Sequence, residues 1–353
     1  WVALSILWST APANSVLEPQ CAMVLLSGIG AVLVLARRGT QVHLLAAVVA
    51  AATAISAYSL GTRLFPGSAG TFSPIDGYRL SGLVGYWNGL GIFAAMGIVL
   101  ALGLASETRS RPLKAAAAGA LVVLAPTLYF TFSRGGWAGL GIGLAALLVV
   151  SPRRMRVLGA LVLLVPLPAV AVALSARATA LTHANSSLEE ATDAGRSLAA
   201  ILALLVLAAS ASGLLLATLE RRVRVPLLAQ RAIGTTLVLA LVLAAVGGIV
   251  RGGGPAALTD KAIDAFRKTN PPEAEINLND HLFTFSGSHR FDLWRVAHST
   301  YRTEPILGVG AGSFERYWQI DEDATLKSRD AHNVYLETLA EMGPIGLVLL
   351  LAL

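Results

Sequence analysis

Apolar residues fill most of the first 250 positions in blocks of 16 to 24, separated by short polar interruptions. That pattern predicts membrane-spanning helices at roughly 21–36, 42–60, 82–105, 115–132, 135–150, 157–175, 197–219 and 232–250. Residues 1–8 read as the tail of a helix cut short, 9–20 as a polar loop holding Pro12, Asn14 and Pro19, and 344–353 as an apolar run only just begun. The run from Ala115 to Val150 has to be two helices, because 36 helical residues extend about 54 Å, far beyond one bilayer crossing. Its break is expected at Phe132-Ser133-Arg134-Gly135-Gly136, where two glycines allow a tight turn.

The predicted fold is therefore an all-α integral membrane protein. It is a polytopic bundle of about eight full spans plus two truncated ones, with one large helical loop between late spans. The expected division is a bundle over 1–250, a loop over 251–343 that carries most of the candidate chemistry, and the start of a final span over 344–353.

Composition agrees with the pattern, since 55% of residues are hydrophobic and 14% charged, against about 25% charged in soluble domains. A net charge of +6 raises the question of nucleic acid in a soluble protein. Here its distribution answers differently. Twelve basic residues lie in four alternate connections: Arg37 and Arg38; Arg109, Arg111 and Lys114; Arg153, Arg154 and Arg156; Arg221, Arg222, Arg224 and Arg231. The intervening short loops hold five, namely Arg63, Arg79, Arg134, Arg177 and Arg196. The bias places the first set in the cytoplasm and the second outside, and by the same alternation residues 251–332 face outward. The single cysteine, Cys21, allows neither an internal disulfide nor a thiolate zinc cluster.

The outward loop is where a polar substrate can be handled. Residues 251–285 read as polar, with Gly252-Gly253-Gly254-Pro255 and Asn270-Pro271-Pro272 as breakers and some mobility expected. A helix is predicted from Ser288, with Phe291, Trp294 and Tyr301 near helical spacing, Arg290 in its first turn and Glu304-Pro305 ending it. Gly308-Val309-Gly310-Ala311-Gly312 departs from the dinucleotide fingerprint and follows no strand, so a compact turn or a close backbone approach is expected there. A second short helix over about 331–342, capped by Asp330, puts His332 in its first turn, where the helix terminus favours a neutral ring.

Each candidate has a bland reading beside the sharp one. Arg134 either snorkels to the interface or holds an anionic head group. His332 is either a structural histidine or a general base. Asp321-Glu322-Asp323 is either a solvated charge run or a metal-holding acidic pair, and no metal site is expected there.

Several motifs in this order resemble the O-antigen ligase and polymerase superfamily. They are the turn Phe132-Ser133-Arg134-Gly135, the helix Arg290-x-x-x-Trp294 followed by Pro305-Ile306-Leu307-Gly308-Val309-Gly310, and His332-Asn333 followed by Glu341-Met342-Gly343-Pro344-Ile345-Gly346. Gly85-Tyr86-Trp87-Asn88-Gly89 resembles an earlier feature, with Trp-Asn where Pro-Asn is usual.

The resemblance implies an inverting, metal-independent membrane glycosyltransferase that uses no cofactor. It would move a glycan from an undecaprenyl diphosphate carrier to an acceptor hydroxyl, on a glycan or a lipid-linked glycan, at the outer face of the cytoplasmic membrane. Arg134 and Arg290 would bind the donor diphosphate and His332 would activate the acceptor, with Asn333, Asn88 and Arg295 as secondary candidates. Partners are then the lipid-linked donor, the acceptor and membrane lipid, with no nucleic acid. Two alternatives remain beside ligase and polymerase: a small-anion transporter of the inorganic-carbon type, and a non-catalytic protein that binds lipid-linked glycan. Candidate residues gathered on one face favour the enzyme over a transporter, whose polar residues belong near the bilayer midplane.

Overall fold

In the computed structural model, residues 1–35, 39–70, 79–183, 186–222, 246–267, 278–283, 290–321 and 328–352 are described, together with the isolated positions 236 and 243. Every element among them is helical: α1 (Pro12–Leu35), α2 (Gln41–Leu64), α3 (Trp87–Glu107), α4 (Arg111–Phe130), α5 (Arg134–Val150), α6 (Arg154–Leu164), α7 (Pro166–Arg177), α8 (Leu188–Arg222), α9 (Gly254–Arg267), α10 (Leu278–Phe283), α11 (Arg290–Thr303), α12 (Phe314–Ile320) and α13 (Val334–Leu351). Six of these are long and apolar enough to cross a membrane, and a seventh span forms if α6 and α7 are counted together. The protein is a polytopic helical membrane protein.

Seven of the eight predicted spans are helices, and the eighth, 232–250, lies largely outside the described residues. Three differ in detail. The expected loop at 9–20 is helical from Pro12, because proline fits a helix start and Pro19 is accommodated within α1. The expected span 157–175 is bent by 41° between α6 and α7, where Pro166 lacks the amide that would continue the ladder. Finally, α8 begins at Leu188, well inside the expected outer loop.

The chain forms two compact units, one of residues 37–245 and 272–284, the other of 1–36, 246–271 and 285–353. In the first, α4 is the central element, packed by α2, α3, α7 and α8. Its Ala117, Ala118, Gly119 and Ala120 are buried, and small residues let helix backbones approach closely where no hydrophobic force acts between helices in lipid. Near one end of α4 the fully buried Lys114 reaches Glu220 at 3.0 Å, an ion pair that satisfies a charge otherwise costly to bury. Near the other end, α10 docks through Leu278, whose amide donates to Thr182 O at 3.0 Å and whose side chain is buried beside Leu181. Asn279 Oδ1 there accepts a hydrogen bond from Tyr129.

The second unit holds α1, α9, α11, α12 and α13 around a small core of Leu293, Val296, Ala297, Phe314, Trp318, Ala331 and Ala340. Gly252-Gly253 break the helix as expected, with Gly253 and Gly254 at φ 92° and 91°, and Pro255 then lies in the opening turn of α9, where proline costs no hydrogen bond. Asn270-Pro271-Pro272 lies outside the described residues. Helix α11 runs from Arg290 and ends at Thr303, just before Glu304-Pro305 as predicted, while Ser288, its expected start, lies outside the described residues; its buried face is Leu293, Val296, Ala297 and Thr300, with Phe291 exposed.

Candidate functional site

Arg134 is the first residue of α5, and the turn that delivers it is made by Phe132 rather than by the two glycines. Phe132 has φ 49°, in the left-handed region that bulky residues avoid. Its ring is fully buried and packs on Tyr129 at 5.3 Å. Burying a phenylalanine contributes about 1.5–3 kcal/mol, enough to offset the roughly 1–2 kcal/mol of left-handed backbone.

Ser133 then caps α5, its Oγ accepting from the Gly136 amide at 3.1 Å and donating to Asn88 Oδ1 at 2.8 Å. Asn88 in turn donates from Nδ2 to the Tyr86 hydroxyl at 2.8 Å. Gly136 serves packing, since a Cβ on it would lie 3.1 Å from the Gly91 carbonyl carbon. Around this end of the unit, Arg79 lies over the Trp87 ring and the buried Arg63 over Phe130, each at 5.4 Å from guanidinium carbon to centroid. Asn88 and the Arg134 turn are thus joined, although they are 45 positions apart in sequence.

In the other unit His332 stands outside the helix it was expected to begin. Asn333, not Asp330, is the N-cap of α13, its Oδ1 accepting from the amides of Tyr335 at 3.1 Å and Leu336 at 3.2 Å. The cause is geometric: only a residue in extended conformation directly before the first turn can turn its side chain back onto those amides, and Asn333 has φ −151° and ψ 99°. On the other side of His332, the Ala331 amide donates to Glu337 Oε2 at 2.7 Å. Pinned on both flanks, His332 adopts φ 52°, an uncommon conformation for a residue other than glycine and one that clusters at functional sites.

Its imidazole is held below the ordinary histidine value. Burial is the largest cause, Asp330 opposes it, and Arg290 adds to it. A neutral ring is favoured as expected, but by shielding and a nearby guanidinium rather than by a helix terminus.

Arg295 makes a paired contact to Asp321, at 3.2 and 3.4 Å. The arginine is thus engaged with the first carboxylate of the acidic triplet, whose Glu322 and Asp323 lie outside the described residues, as does His289. The glycine loop is a compact turn, with Gly308, Gly310 and Gly312 all at positive φ. It is clasped by the N-terminal segment: Thr10 N donates to Val309 O at 2.9 Å, Ser5 Oγ accepts from Ala311 N at 3.1 Å, and Ser15 donates to Ala311 O.

Glu341 secures the same loop from the other side. Its carboxylate is buried and accepts from the amides of Gly312 and Phe314, both at 2.8 Å. Sequence reasoning assigned no role to Glu341 or Glu337. The available signal was a pair of acidic residues four apart on a helix entering an apolar run, where carboxylates are retained only with partners.

Arg290, His332, Asn333 and Arg295 belong to one unit, and Arg134 and Asn88 to the other. Residues 194–351 match a family model described as O-Antigen ligase. The match takes in Arg290, Arg295, His332 and Asn333 and leaves Asn88 and Arg134 outside it. No curated protein and no solved structure matches the chain.

Proposed function

We propose, from the match of residues 194–351 to a family model described as O-Antigen ligase, that this membrane protein is a glycosyltransferase that moves a glycan from a polyprenyl diphosphate carrier to an acceptor hydroxyl. The reaction takes place at the outer face of the cytoplasmic membrane. The observation that carries the reading is His332, strained at φ 52°, with its imidazole held below the ordinary histidine value by partial burial and by Arg290.

His332 takes the proton of the acceptor hydroxyl as its oxygen attacks the anomeric carbon from the face opposite the diphosphate. The bond to the diphosphate oxygen breaks, and the configuration at that carbon inverts. The leaving diphosphate gains negative charge, which Arg134 and Arg290 stabilise as fixed, permanently charged donors. Asn88 acts at one remove, by holding the Ser133 turn that starts α5. Asn333 likewise acts through the turn that carries His332. Arg295, tied to Asp321, positions the start of the acidic segment. No metal enters this scheme.

The outward placement rests on the arginine bias among the connections and on the packing of α10, part of the large loop, against the end of α4 that leads into Arg134. Ligase and polymerase share this chemistry and differ in the acceptor. The match lends no support to the small-anion transporter alternative. The deciding experiment incubates purified protein in lipid with a polyprenyl diphosphate glycan and three acceptors: a lipid-linked core oligosaccharide, a second diphosphate-linked chain, and none. Transfer to either acceptor is expected and names the subtype. Absence of transfer to both, with donor intact, overturns the assignment.

A further inference from the structure

A ring of hydrogen bonds encloses His332. Asn333 is the cap of α13, and in a capping box the residue three places beyond the cap accepts in return from the amide of the cap itself. That place is held by Leu336, whose side chain cannot accept. Glu337, one residue further, reaches back past both the cap and His332 and accepts from the Ala331 amide at 2.7 Å. Glu337 N also donates to Asn333 O at 2.9 Å, which closes the ring through the first turn of the helix. Because Ala331 is fully buried, its amide requires a partner within the protein.

Glu337 is otherwise poorly placed. It is half-buried in the first turn of an apolar helix, and its charged neighbours Asp330 and Glu18 are both acidic. Among the described residues no cation pairs with it. A carboxylate among like charges is disfavoured unless donors reach its oxygens, and the donor here is the amide that flanks His332.

We propose that Glu337 is a positioning residue for the His332 base: by holding the Ala331 amide, its carboxylate keeps residue 332 in the left-handed conformation that presents the imidazole to the acceptor hydroxyl. The inference rests on the reading of His332 as general base and adds what aims the ring. Without that bond, residue 332 relaxes from φ 52° toward the negative-φ regions that a bulky side chain prefers, and the ring moves with its Cα. A base works only within hydrogen-bond reach, about 2.6–3.2 Å, of the proton it takes. The role therefore needs an acceptor oxygen at this reach and not a negative charge.

The test separates oxygen from charge. Glu337→Gln keeps an acceptor oxygen at the same reach, whereas Glu337→Met keeps the length without it. Each is compared in phosphatidylcholine nanodiscs with the native protein, with His332→Ala, and with the double variant. Transfer from an undecaprenyl diphosphate glycan, direct donor titration, thermal unfolding and hydrogen exchange of the Ala331 amide are measured. Glu337→Met is expected to lower kcat about 10–100-fold, the cost of a misplaced catalytic group, with donor Kd unchanged and Ala331 exchanging faster. Glu337→Gln should keep most of kcat and the protection of Ala331. In the His332→Ala background Glu337→Met should cost nothing further, since no ring is left to aim.

Native kcat in Glu337→Met overturns the proposal. So does a loss in Glu337→Gln equal to that in Glu337→Met, which would assign the effect to charge, and so does an equal loss with and without His332, which would make Glu337 a general support of the fold. Should Glu337→Met not fold, Glu337→Asp keeps the charge one methylene short of the amide and is expected to lower kcat where Glu337→Gln does not; native kcat in Glu337→Asp then overturns the proposal. Failure of the functional reading looks different: His332→Ala would itself transfer at the native rate.

Discussion

Ser133 Oγ donates to Asn88 Oδ1 at 2.8 Å, joining the first turns of α3 and α5 across a chain separation of 45 residues. Ser133 also caps α5, so Ser133→Ala removes both contacts at once. A lost cap costs about 1 kcal/mol, and Asn88 left without its partner adds roughly 1–2 kcal/mol. Asn88→Ala should cost about 1 kcal/mol and raise the donor KM more than it lowers kcat. The double variant should be less destabilised than the sum, which thermal unfolding of the four proteins checks.

Replacing His332 with Ala should lower transfer about 10²–10⁴-fold, the contribution of a general base, while donor binding persists. Direct titration with undecaprenyl diphosphate separates the two, and equal loss of binding and turnover would contradict the assignment.

The pH profile has a defined sign. Activity needs the neutral ring, and the imidazole is held low, so the acid limb of kcat/KM should lie below the ordinary histidine value of about 6.5. Arg290→Gln removes a cause that lowers it and should move the limb up. Asp330→Asn removes a cause that raises it and should move the limb down. A limb that neither change moves would belong to another group.

Arg134→Lys and Arg290→Lys should each bind donor more weakly than the native protein, because an ammonium cannot make the paired contact of a guanidinium. Chelation, and the pair Asp321→Asn with Asp323→Asn, should leave turnover nearly intact. Loss on chelation with recovery on adding a divalent ion would shift the activating role toward the acidic triplet.

Gly343 has φ 66°, and a Cβ there would stand 2.2 Å from Ile306 O, so Gly343→Ala should lower stability by about 2 kcal/mol or more. Glu341→Ala strands the amides of Gly312 and Phe314, each worth about 1–3 kcal/mol when buried without a partner. In both, melting temperature and activity should fall together, unlike His332→Ala. For sidedness, Cys21, exposed in α1, is first changed to Ser. An impermeant thiol reagent should then label a cysteine at position 324 and not one at 153.

The helical class, most span positions, the α4–α5 break and the end of α11 were legible in the sequence. Each follows from local rules: apolar run length, the bilayer thickness, and the charges that interrupt the runs. Arg134, Arg290 and His332 stand out in the sequence as candidates, because charged or titratable groups beside long apolar runs are few. Only the tertiary structure decided what holds them. Asn333 rather than Asp330 caps α13, since among residues of capping type the backbone angles decide which one turns its side chain onto the free amides. Phe132, not glycine, takes the left-handed position at the α4–α5 turn, because burial of its ring offsets a local cost that propensity alone counts. The partnership of residues 5–15 with the glycine loop, and of Glu341 with Gly312 and Phe314, spans from 27 to more than 300 positions of chain. Hydrophobic periodicity reports the environment of a residue along its own helix and carries no record of which distant amide that residue will meet.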